Sequence, residues 1–149
     1  RRVEELAAVA IAEATPAAPV SVLLLDVDEF KTINDTFGHN VGDEVLRGIA
    51  RILQQRGRLN DVVGRWGGEE FIVLCPGTPV VGALGLAEQL RDRIARQEFQ
   101  QVGRRTVSIG VAEVAAGETL LEVVARADAA LYEAKRAGRN RVREATRGG

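Results

Sequence analysis

The sequence predicts an α/β sandwich of the α+β class, in which helices pack against a mixed sheet. One observation is a short, continuous apolar run at residues 20–25, which is typical of a strand buried on both faces. A second is the recurrence of apolar residues at helical spacing in three later segments, and a third is a pair of apolar runs separated by two glycines. The resulting order matches a ferredoxin-like palm, a βαββαβ core with an extra helix and a C-terminal strand.

The first elements are a helix, a loop and a buried strand. The helix is predicted at residues 2–12, and an Ala/Pro-rich loop follows it, so that residues 1–19 form an N-terminal helix and loop. The strand VSVLLL (20–25) comes next and stops at Asp26-Val27-Asp28. Charged residues at the end of a buried strand are unusual, which makes these acids candidates for function.

A helix and a hairpin follow the first strand. The helix is predicted from Val41 to Leu53, where apolar residues recur with the helical period. The hairpin strands are predicted at Val62–Trp66 and Phe71–Leu74. Gly67-Gly68 between them are expected to adopt the positive φ angles of a tight two-residue turn.

Three further elements complete the predicted fold. A second helix is indicated by the spacing of Ala83, Leu86, Ala87, Leu90 and Ile94. A strand is predicted from Thr106 to Val114, where apolar residues alternate. A third helix is indicated by Leu120, Val124, Ala127, Leu131 and Ala134. Gly138 is placed to end that helix.

The length favours a single domain, residues 1–149, and the composition argues against two kinds of partner. The 20 Lys and Arg against 21 Asp and Glu give a formal net charge of −1, so no strongly basic face for DNA or RNA is expected. No apolar run approaches the length of a bilayer, so this segment is not expected to contact a membrane. The single cysteine, Cys75, is expected to be a buried hydrophobic residue and fits a cytoplasmic location, although the parent protein could be membrane-anchored.

Two acids are predicted to form a metal site. The strand after the first core helix is expected to pair beside the strand that precedes this helix, which would bring the hairpin tip to Asp26 and let Asp26 and Glu69 converge. Hard carboxylates without His or Cys suit an oxygen-preferring ion such as Mg²⁺. Side-chain alternation directs Glu69 and Glu70 to opposite sides, so at most one is expected as a ligand, and it places Asp26 and Asp28 on one face.

Cations near these acids indicate a phosphate-bearing ligand. Mg²⁺ held by one or two carboxylates usually completes its shell with water and substrate phosphates, so a nucleoside triphosphate is expected. Lys31 lies just past the acids, and Lys135 and Arg139 are expected on one side of the last turn of the third helix. Each cation is alternatively an ordinary solvated surface residue. The sequence has neither a P-loop nor a Rossmann glycine motif.

Three polar residues lie around the start of the helix at 41–53, namely Asn34, His39 and Asp43. An ionised Asp43 would accept hydrogen bonds from N1–H and the exocyclic amine of guanine and would reject adenine. Alternatively, Asp43 caps the N-terminus of the helix or stabilises it by its charge. His39 is either a structural hydrogen-bonding residue or a neighbour of the substrate.

Four motifs occur in order along the chain and together resemble one family. They are DVDEFKTINDTFGHNVGDEVL (26–46), RWGGEEF (65–71), VSIGVA (107–112) and ADAALYEAKRAGRNRV (127–142). This pattern closely resembles the GGDEF family of diguanylate cyclases, here with the GGEEF form of the signature. The resemblance implies a fold similar to the nucleotide cyclase and polymerase palm, and condensation of two GTP molecules into cyclic di-GMP with release of pyrophosphate from each.

The resemblance implies a divalent metal site and catalytic roles for the acids. Asp26, Glu69 and the backbone carbonyl of Val27 would bind Mg²⁺ or Mn²⁺, and Glu69 would also draw the proton from the attacking 3′-hydroxyl. Lys31 would stabilise charge on the phosphates in the transition state. Glu70, the second acid of the signature, is counted with Glu69 and Lys31 as catalytic.

The resemblance also implies how GTP would be held. Asn34 and Asp43 would read guanine, and His39 would lie close to the substrate. Lys135 and Arg139 would hold the terminal phosphates. These roles agree with in-line displacement at a phosphorus atom that is aligned and charge-neutralised by metal ions.

A dimer and a product site are further implications of the resemblance. One domain would bind one GTP, so two domains would meet in a two-fold homodimer. Arg58 and Asp61 form an RxxD motif at the place of the family's inhibitory site for cyclic di-GMP; the alternative is a surface ion pair worth under about 1 kcal/mol. Gln89 stands where some members have a supporting arginine.

Two other functions are compatible with the same residues. The main alternative is a receptor module that binds GTP or cyclic di-GMP without turnover, and the other is a scaffold that binds no ligand. Family members carry a D-x-L-T-G-L segment upstream of the residues that match Arg1-Arg2, so the chain is expected to be a fragment of a longer protein with an upstream sensor domain. Trp66 stands before the glycines, where family members more commonly have Tyr, and we expect this difference to have only a mild effect on the domain.

Overall fold

The computed structural model describes residues 2–57 and 60–146. The helices are α1 (Arg2–Ala12), α2 (Phe30–Phe37), α3 (His39–Arg56), α4 (Val80–Ala95) and α5 (Leu120–Arg136). The strands are β1 (Val20–Val27), β2 (Val62–Arg65), β3 (Glu70–Pro76), β4 (Glu98–Phe99), β5 (Gly103–Arg104), β6 (Val107–Glu113) and β7 (Val142–Glu144). The predicted mixed α/β fold is confirmed, including the first helix and the C-terminal strand. No helix in these two ranges combines the length and apolarity needed to cross a membrane.

The main sheet has the strand order β2-β3-β1-β6-β7, with β1 at its centre. Its neighbours are antiparallel except β6 and β7, which are parallel. The predicted pairing of β2 beside β1 is wrong, because β3 takes that place and aligns Glu70 with Asp26. The physical reason is burial. Residues 71–75 of β3 are all buried and suit the sheet interior, whereas β2 is half exposed and forms an edge.

Both faces of β1 are buried, as its continuous apolar sequence predicts. Leu23 and Leu25 enter a core layer with α2, α3 and α4, whereas Val22 and Leu24 enter a second layer with α1 and α5. All eight residues of β1 are buried, so this strand is a rigid support for the residues at its C-terminal end, from Asp26 onwards.

The structure adds elements that the sequence does not signal. Helix α2 has only eight residues and buries only Phe30 and Ile33 among polar neighbours, too few for a periodic pattern. Strands β4 and β5 pair as a ribbon of two residues each, which is too short for alternation to be visible.

The predicted two-residue turn at Gly67-Gly68 is wrong. Strand pairing ends at Arg65 and Phe71, and the N–H of Trp66 donates to the carbonyl of Glu70 at 2.8 Å. Neither glycine has a positive φ. A longer loop spreads the chain reversal over more residues, so the mirror-image turn conformation is not required. A Cβ on Gly68 would meet no atom within 4 Å, so the loop leaves open space beside Glu69.

Candidate active site

Asp26 and Glu69 meet at one end of the central strand, as the sequence predicts, although β3 rather than β2 brings them together. Asp26 lies near the end of β1, opposite Glu70 in the register. The N–H of Val27 donates to the carbonyl of Glu69 at 3.4 Å, which ties the hairpin loop to the end of β1. Arg65 donates to the carbonyls of Gly67 and Gly68 and so braces the loop from its other side.

The two carboxylate oxygens of Asp26 differ, because one is hydrogen-bonded and the other has no partner. Its Oδ2 accepts a hydrogen bond from Lys135 Nζ at 2.6 Å, and the Asp26 side chain is 7% exposed. Within residues 2–57 and 60–146, two buried side-chain oxygens lack a hydrogen-bond partner, Asp26 Oδ1 and Asn34 Oδ1. Leaving a buried polar atom unpaired costs about 1–3 kcal/mol, so both atoms indicate places where a ligand completes the site.

The pKa values of the two acids next to Asp26, Glu69 and Glu70, are both raised. Burial raises the pKa of Glu69 to about 7, with the nearby Asp26 carboxyl adding to the shift and Lys135 opposing it. Burial and then the charge of Asp26 also raise the pKa of Glu70 above its ordinary value. Crowded carboxylates of this kind disfavour their charged forms, and a divalent cation relieves this repulsion.

These residues fit Mg²⁺ or Mn²⁺. The donors are carboxylate oxygens and the carbonyl of Val27, the ligands that hard cations prefer. The described ranges contain no group of three or more His, Cys, Asp or Glu side chains arranged around one metal position. A pair of carboxylates matches an ion whose remaining positions are filled by water and substrate phosphates.

Asp28 differs from Asp26 because both of its oxygens are already hydrogen-bonded. Its Oδ2 accepts from Thr106 Oγ1 at 2.6 Å and from the backbone N–H of Asn140 at 3.0 Å, and its Oδ1 accepts from Ser108 Oγ at 2.7 Å. Asp28 is 6% exposed. The arrangement is that of a structural carboxylate that joins β1, β6 and the segment after α5.

The three cations predicted to meet phosphates occupy different positions. Lys135 lies on α5 and donates a hydrogen bond to the carboxylate of Asp26. Arg139 lies beyond α5, so the prediction that both share a side of the last helical turn is wrong. The reason is a Schellman motif, in which Gly138 and Arg139 donate to the carbonyls of Lys135 and Ala134 and turn the chain away from the helix.

Lys31 projects from α2 and is 88% exposed. Its Nζ lies 2.9 Å from Oδ2 of Asp35, one helical turn later. An exposed pair of this kind is held weakly, so Lys31 can exchange Asp35 for a phosphate at little cost.

The polar residues predicted to read a base lie around the junction of α2 and α3. Asn34 is on α2, His39 is the first residue of α3 and Asp43 lies on its second turn. The alternative that Asp43 caps this helix or stabilises its start by charge is wrong, because the N-cap is Gly38 and the first turn contains no acidic residue. The predicted helix starts at Val41 because its apolar residues recur only from there, so the prediction does not include the polar residues that begin α3 at His39.

Gly42 is a site residue that the sequence analysis missed. A Cβ on Gly42 would overlap Oδ1 of Asn34 and would lie 3.1 Å from Cζ of Phe30. The bare backbone at position 42 therefore creates the slot that holds the Asn34 side chain against α3. The available signal is a glycine inside a predicted helix, where it costs stability and needs a packing reason.

The candidate product site is only partly described. Arg58 lies outside the described residues. Asp61 directly precedes β2, and Gln89 is exposed on α4. The role of Arg58 and Asp61 therefore stays a prediction.

Comparisons with known proteins agree on one family. The sequence profile for "Diguanylate cyclase, GGDEF domain" matches residues 1–141. Diguanylate cyclase DgcM of Escherichia coli is 51% identical over 126 residues, which cover 85% of this chain and 31% of DgcM. The chain thus spans less than a third of the length of this curated relative.

Solved structures show the same likeness. The active GGEEF domain of a diguanylate cyclase from Vibrio cholerae superposes with a TM-score of 0.92 at 38% identity, covering 99% of this chain and 97% of that one. The GGDEF domain of DgcB from Caulobacter crescentus, in complex with cyclic di-GMP, has a TM-score of 0.84 at 34% identity and covers 96% and 85% of the two chains.

Proposed function

The chain belongs to the GGDEF-domain family of diguanylate cyclases, and on that premise we propose that it condenses two GTP molecules into cyclic di-GMP and two pyrophosphates. The observation that carries this proposal is the buried, unpaired Oδ1 of Asp26 close to Glu69. An acid pair with a bare buried oxygen is the kind of group that holds a cation, and Lys135 beside it supplies positive charge for phosphates.

The reaction forms a bond between the 3′-oxygen of one GTP and the α-phosphorus of the other, and it breaks the bond to pyrophosphate. Asp26, Glu69 and the carbonyl of Val27 would hold Mg²⁺ or Mn²⁺, which when bound neutralises phosphate charge and makes the hydroxyl more acidic. The Glu69 carboxylate accepts the proton of the 3′-hydroxyl. Glu70, aligned with Asp26 in the sheet, is the third catalytic residue of this proposal, with Glu69 and Lys31.

Lys135, Arg139 and Lys31 each contact a different part of the triphosphate. Lys135, already bonded to Asp26, meets the phosphates next to the metal site, and Arg139 meets the terminal phosphates from the turn after α5. Lys31 leaves Asp35 to stabilise charge that develops in the transition state.

Guanine is read at the junction of α2 and α3. The unpaired buried Oδ1 of Asn34 and the exposed carboxylate of Asp43 accept hydrogen bonds. Guanine supplies the donors through N1–H and its 2-amine, whereas N1 of adenine is an acceptor and its C2 carries no amine. His39, at the start of α3, lies beside this position and adds a polar contact.

The assembly follows from the symmetry of the product. Each domain holds one GTP, so two copies meet as a two-fold homodimer in which each 3′-hydroxyl faces the α-phosphate held by the partner. Cyclic di-GMP is also a feedback inhibitor at Arg58 and Asp61, weakened because Gln89 replaces a supporting arginine. An upstream sensor domain in the parent protein controls the encounter of the two copies.

The test is GTP turnover with Mg²⁺ over a wide range of protein concentration, with cyclic di-GMP measured by chromatography. The rate of product formation is expected to rise faster than linearly with protein, because two half-sites must meet. GTP or cyclic di-GMP binding without product at any concentration would contradict the proposal and favour the receptor alternative. A lack of all binding would favour the scaffold.

Replacing Gly42 by Ala is expected to raise KM for GTP about tenfold, because the new methyl group displaces the Asn34 side chain and removes a hydrogen bond to guanine. Preference for GTP over ATP is expected to fall in the same variant. The matched control is Gly85→Ala on α4, where a Cβ meets no atom within 4 Å. Equal KM values for the two variants would show that Gly42 does not position Asn34.

A further inference from the structure

The turn after α5 has an unusual backbone. Gly138, Arg139 and Asn140 have φ angles of 129°, 64° and 48°, three positive values in succession. Residues with a Cβ adopt such angles rarely, and Asn tolerates them better than Arg does. Arg139 carries the side chain proposed for the terminal phosphates, so its backbone needs support from outside the turn.

Two side chains from distant parts of the chain hold Asn140 from different sides. Oδ2 of Asp28 accepts from the backbone N–H of Asn140 at 3.0 Å, and Nη1 of Arg91 donates to its side-chain Oδ1 at 2.8 Å. Asp28 is itself fixed by Thr106 and Ser108. These contacts join the turn to β1, β6 and α4 together.

Arg91 is also held in place. Its side chain is 17% exposed and is paired with Glu88 on the same face of α4, through Nη2 to Oε2 at 2.5 Å. The pair keeps the Arg91 side chain directed along the helix surface towards Asn140.

We propose that Asp28 and Arg91 are positioning residues that clamp Asn140 and so hold the turn that presents Arg139 to the phosphates of GTP. This inference rests on the proposed function. Neither residue touches the substrate: Asp28 acts through the backbone of Asn140, and Arg91 through its amide. Loosening the clamp lets Arg139 leave its left-handed conformation, which weakens GTP binding before it affects the chemical step.

The first test compares Arg91→Ala with Glu88→Gln. Arg91→Ala removes the contact with Asn140 and is expected to raise KM for GTP about tenfold, since misplacing a substrate-binding group by about 1 Å has effects of this size or larger. Its kcat is expected to stay within about twofold of the wild type. Glu88→Gln removes the charge of the pair but keeps a side-chain oxygen that accepts from Arg91, so Arg91 stays directed towards Asn140 and KM is expected to be unchanged. An unchanged KM in Arg91→Ala would overturn the proposal.

A double-mutant cycle separates the clamp from a general loss of stability. Asn140→Gly keeps the N–H that Asp28 binds and accepts a positive φ, but it lacks the amide that Arg91 binds. The double variant Arg91→Ala/Asn140→Gly is expected to have the KM of Arg91→Ala alone, because both changes break one contact. If the KM of the double variant were instead raised by the product of the two single-variant factors, the proposal would be overturned.

The role of Asp28 is tested against a metal-binding role. Asp28→Asn is expected to raise KM for GTP while the Mg²⁺ concentration for half-maximal rate at saturating GTP stays at the wild-type value. A large increase in that Mg²⁺ concentration would overturn the positioning role. Should the wild type make no cyclic di-GMP, the proposed function fails separately, and calorimetric GTP binding to the wild type and Arg91→Ala then tests the clamp alone.

Discussion

Replacing Glu69 by Gln is expected to lower kcat for cyclic di-GMP formation by about 10³-fold or more, the largest effect that we predict for a single side chain. The amide keeps the size of the side chain but cannot accept the proton of the 3′-hydroxyl, and it is a poorer ligand for Mg²⁺. Each factor of ten in rate corresponds to about 1.4 kcal/mol of lost transition-state stabilisation, so the substitution would remove about 4 kcal/mol.

The fold is not expected to suffer from this change. Glu69 lies beside Asp26 in a site that raises its pKa to about 7, so a neutral side chain relieves repulsion in the folded protein at neutral pH. In the metal-free protein, the melting temperature of the variant should therefore be equal to or above that of the wild type. The matched control is Glu133→Gln on the exposed face of α5, which should leave kcat unchanged. Retention of more than about a tenth of the wild-type kcat by Glu69→Gln would contradict its catalytic role.

Replacing Gly110 by Ala is expected to lower the free energy of unfolding by about 3 kcal/mol. Gly110 lies on β6, paired with Leu24 of β1, where α5 crosses the sheet. A Cβ there would overlap the carbonyl oxygen of Ala127 and would lie 2.5 Å from the backbone nitrogen of Leu131. Both atoms belong to the backbone of α5, so the methyl group fits only if the helix lifts from the sheet and loses buried contacts.

Chemical denaturation of the metal-free protein measures this effect. A domain of this size has a free energy of unfolding of about 5–15 kcal/mol, so a loss of about 3 kcal/mol is readily resolved. Gly85→Ala serves as control, because it also replaces glycine by alanine but meets open space in a helix and is expected to stabilise by up to about 1 kcal/mol. If Gly110→Ala unfolded at the wild-type denaturant concentration, the close approach of α5 to β6 would be refuted.

The local elements of the fold could be predicted because their signals are local. Helix α1 begins and ends at the predicted residues, and the apolar positions predicted for α4, from Ala83 to Ile94, are all buried. Strand β1 is buried on both faces, as a continuous apolar run requires. Where few residues of an element are buried, as in α2, the periodic signal was too weak to detect the helix.

The chemistry of the site could also be predicted in part. The acids at the end of β1 and in the hairpin loop are unusual in type and place, so the sequence predicts that Asp26 and Glu69 converge, and the structure brings them together. The slot at Gly42 and the contact of Arg91 with Asn140 could not be found in this way. Both depend on residues that meet only after helices pack, and neither leaves a periodic or motif signal.

The sequence by itself therefore determined where the longer helices and strands form and which side chains have the chemistry to bind a metal, phosphates or a base. Periodicity and side-chain chemistry are properties of neighbouring residues, and they need no knowledge of the fold. The tertiary structure alone decided that β3 rather than β2 lies beside β1, and that Asp26 keeps a bare oxygen while Asp28, two residues later, has its oxygens hydrogen-bonded. The side-chain partners of Asp28 lie 78 and 80 residues away and that of Asp26 lies 109 residues away, so only the packing of the sheet and of α5 brings them within hydrogen-bonding distance.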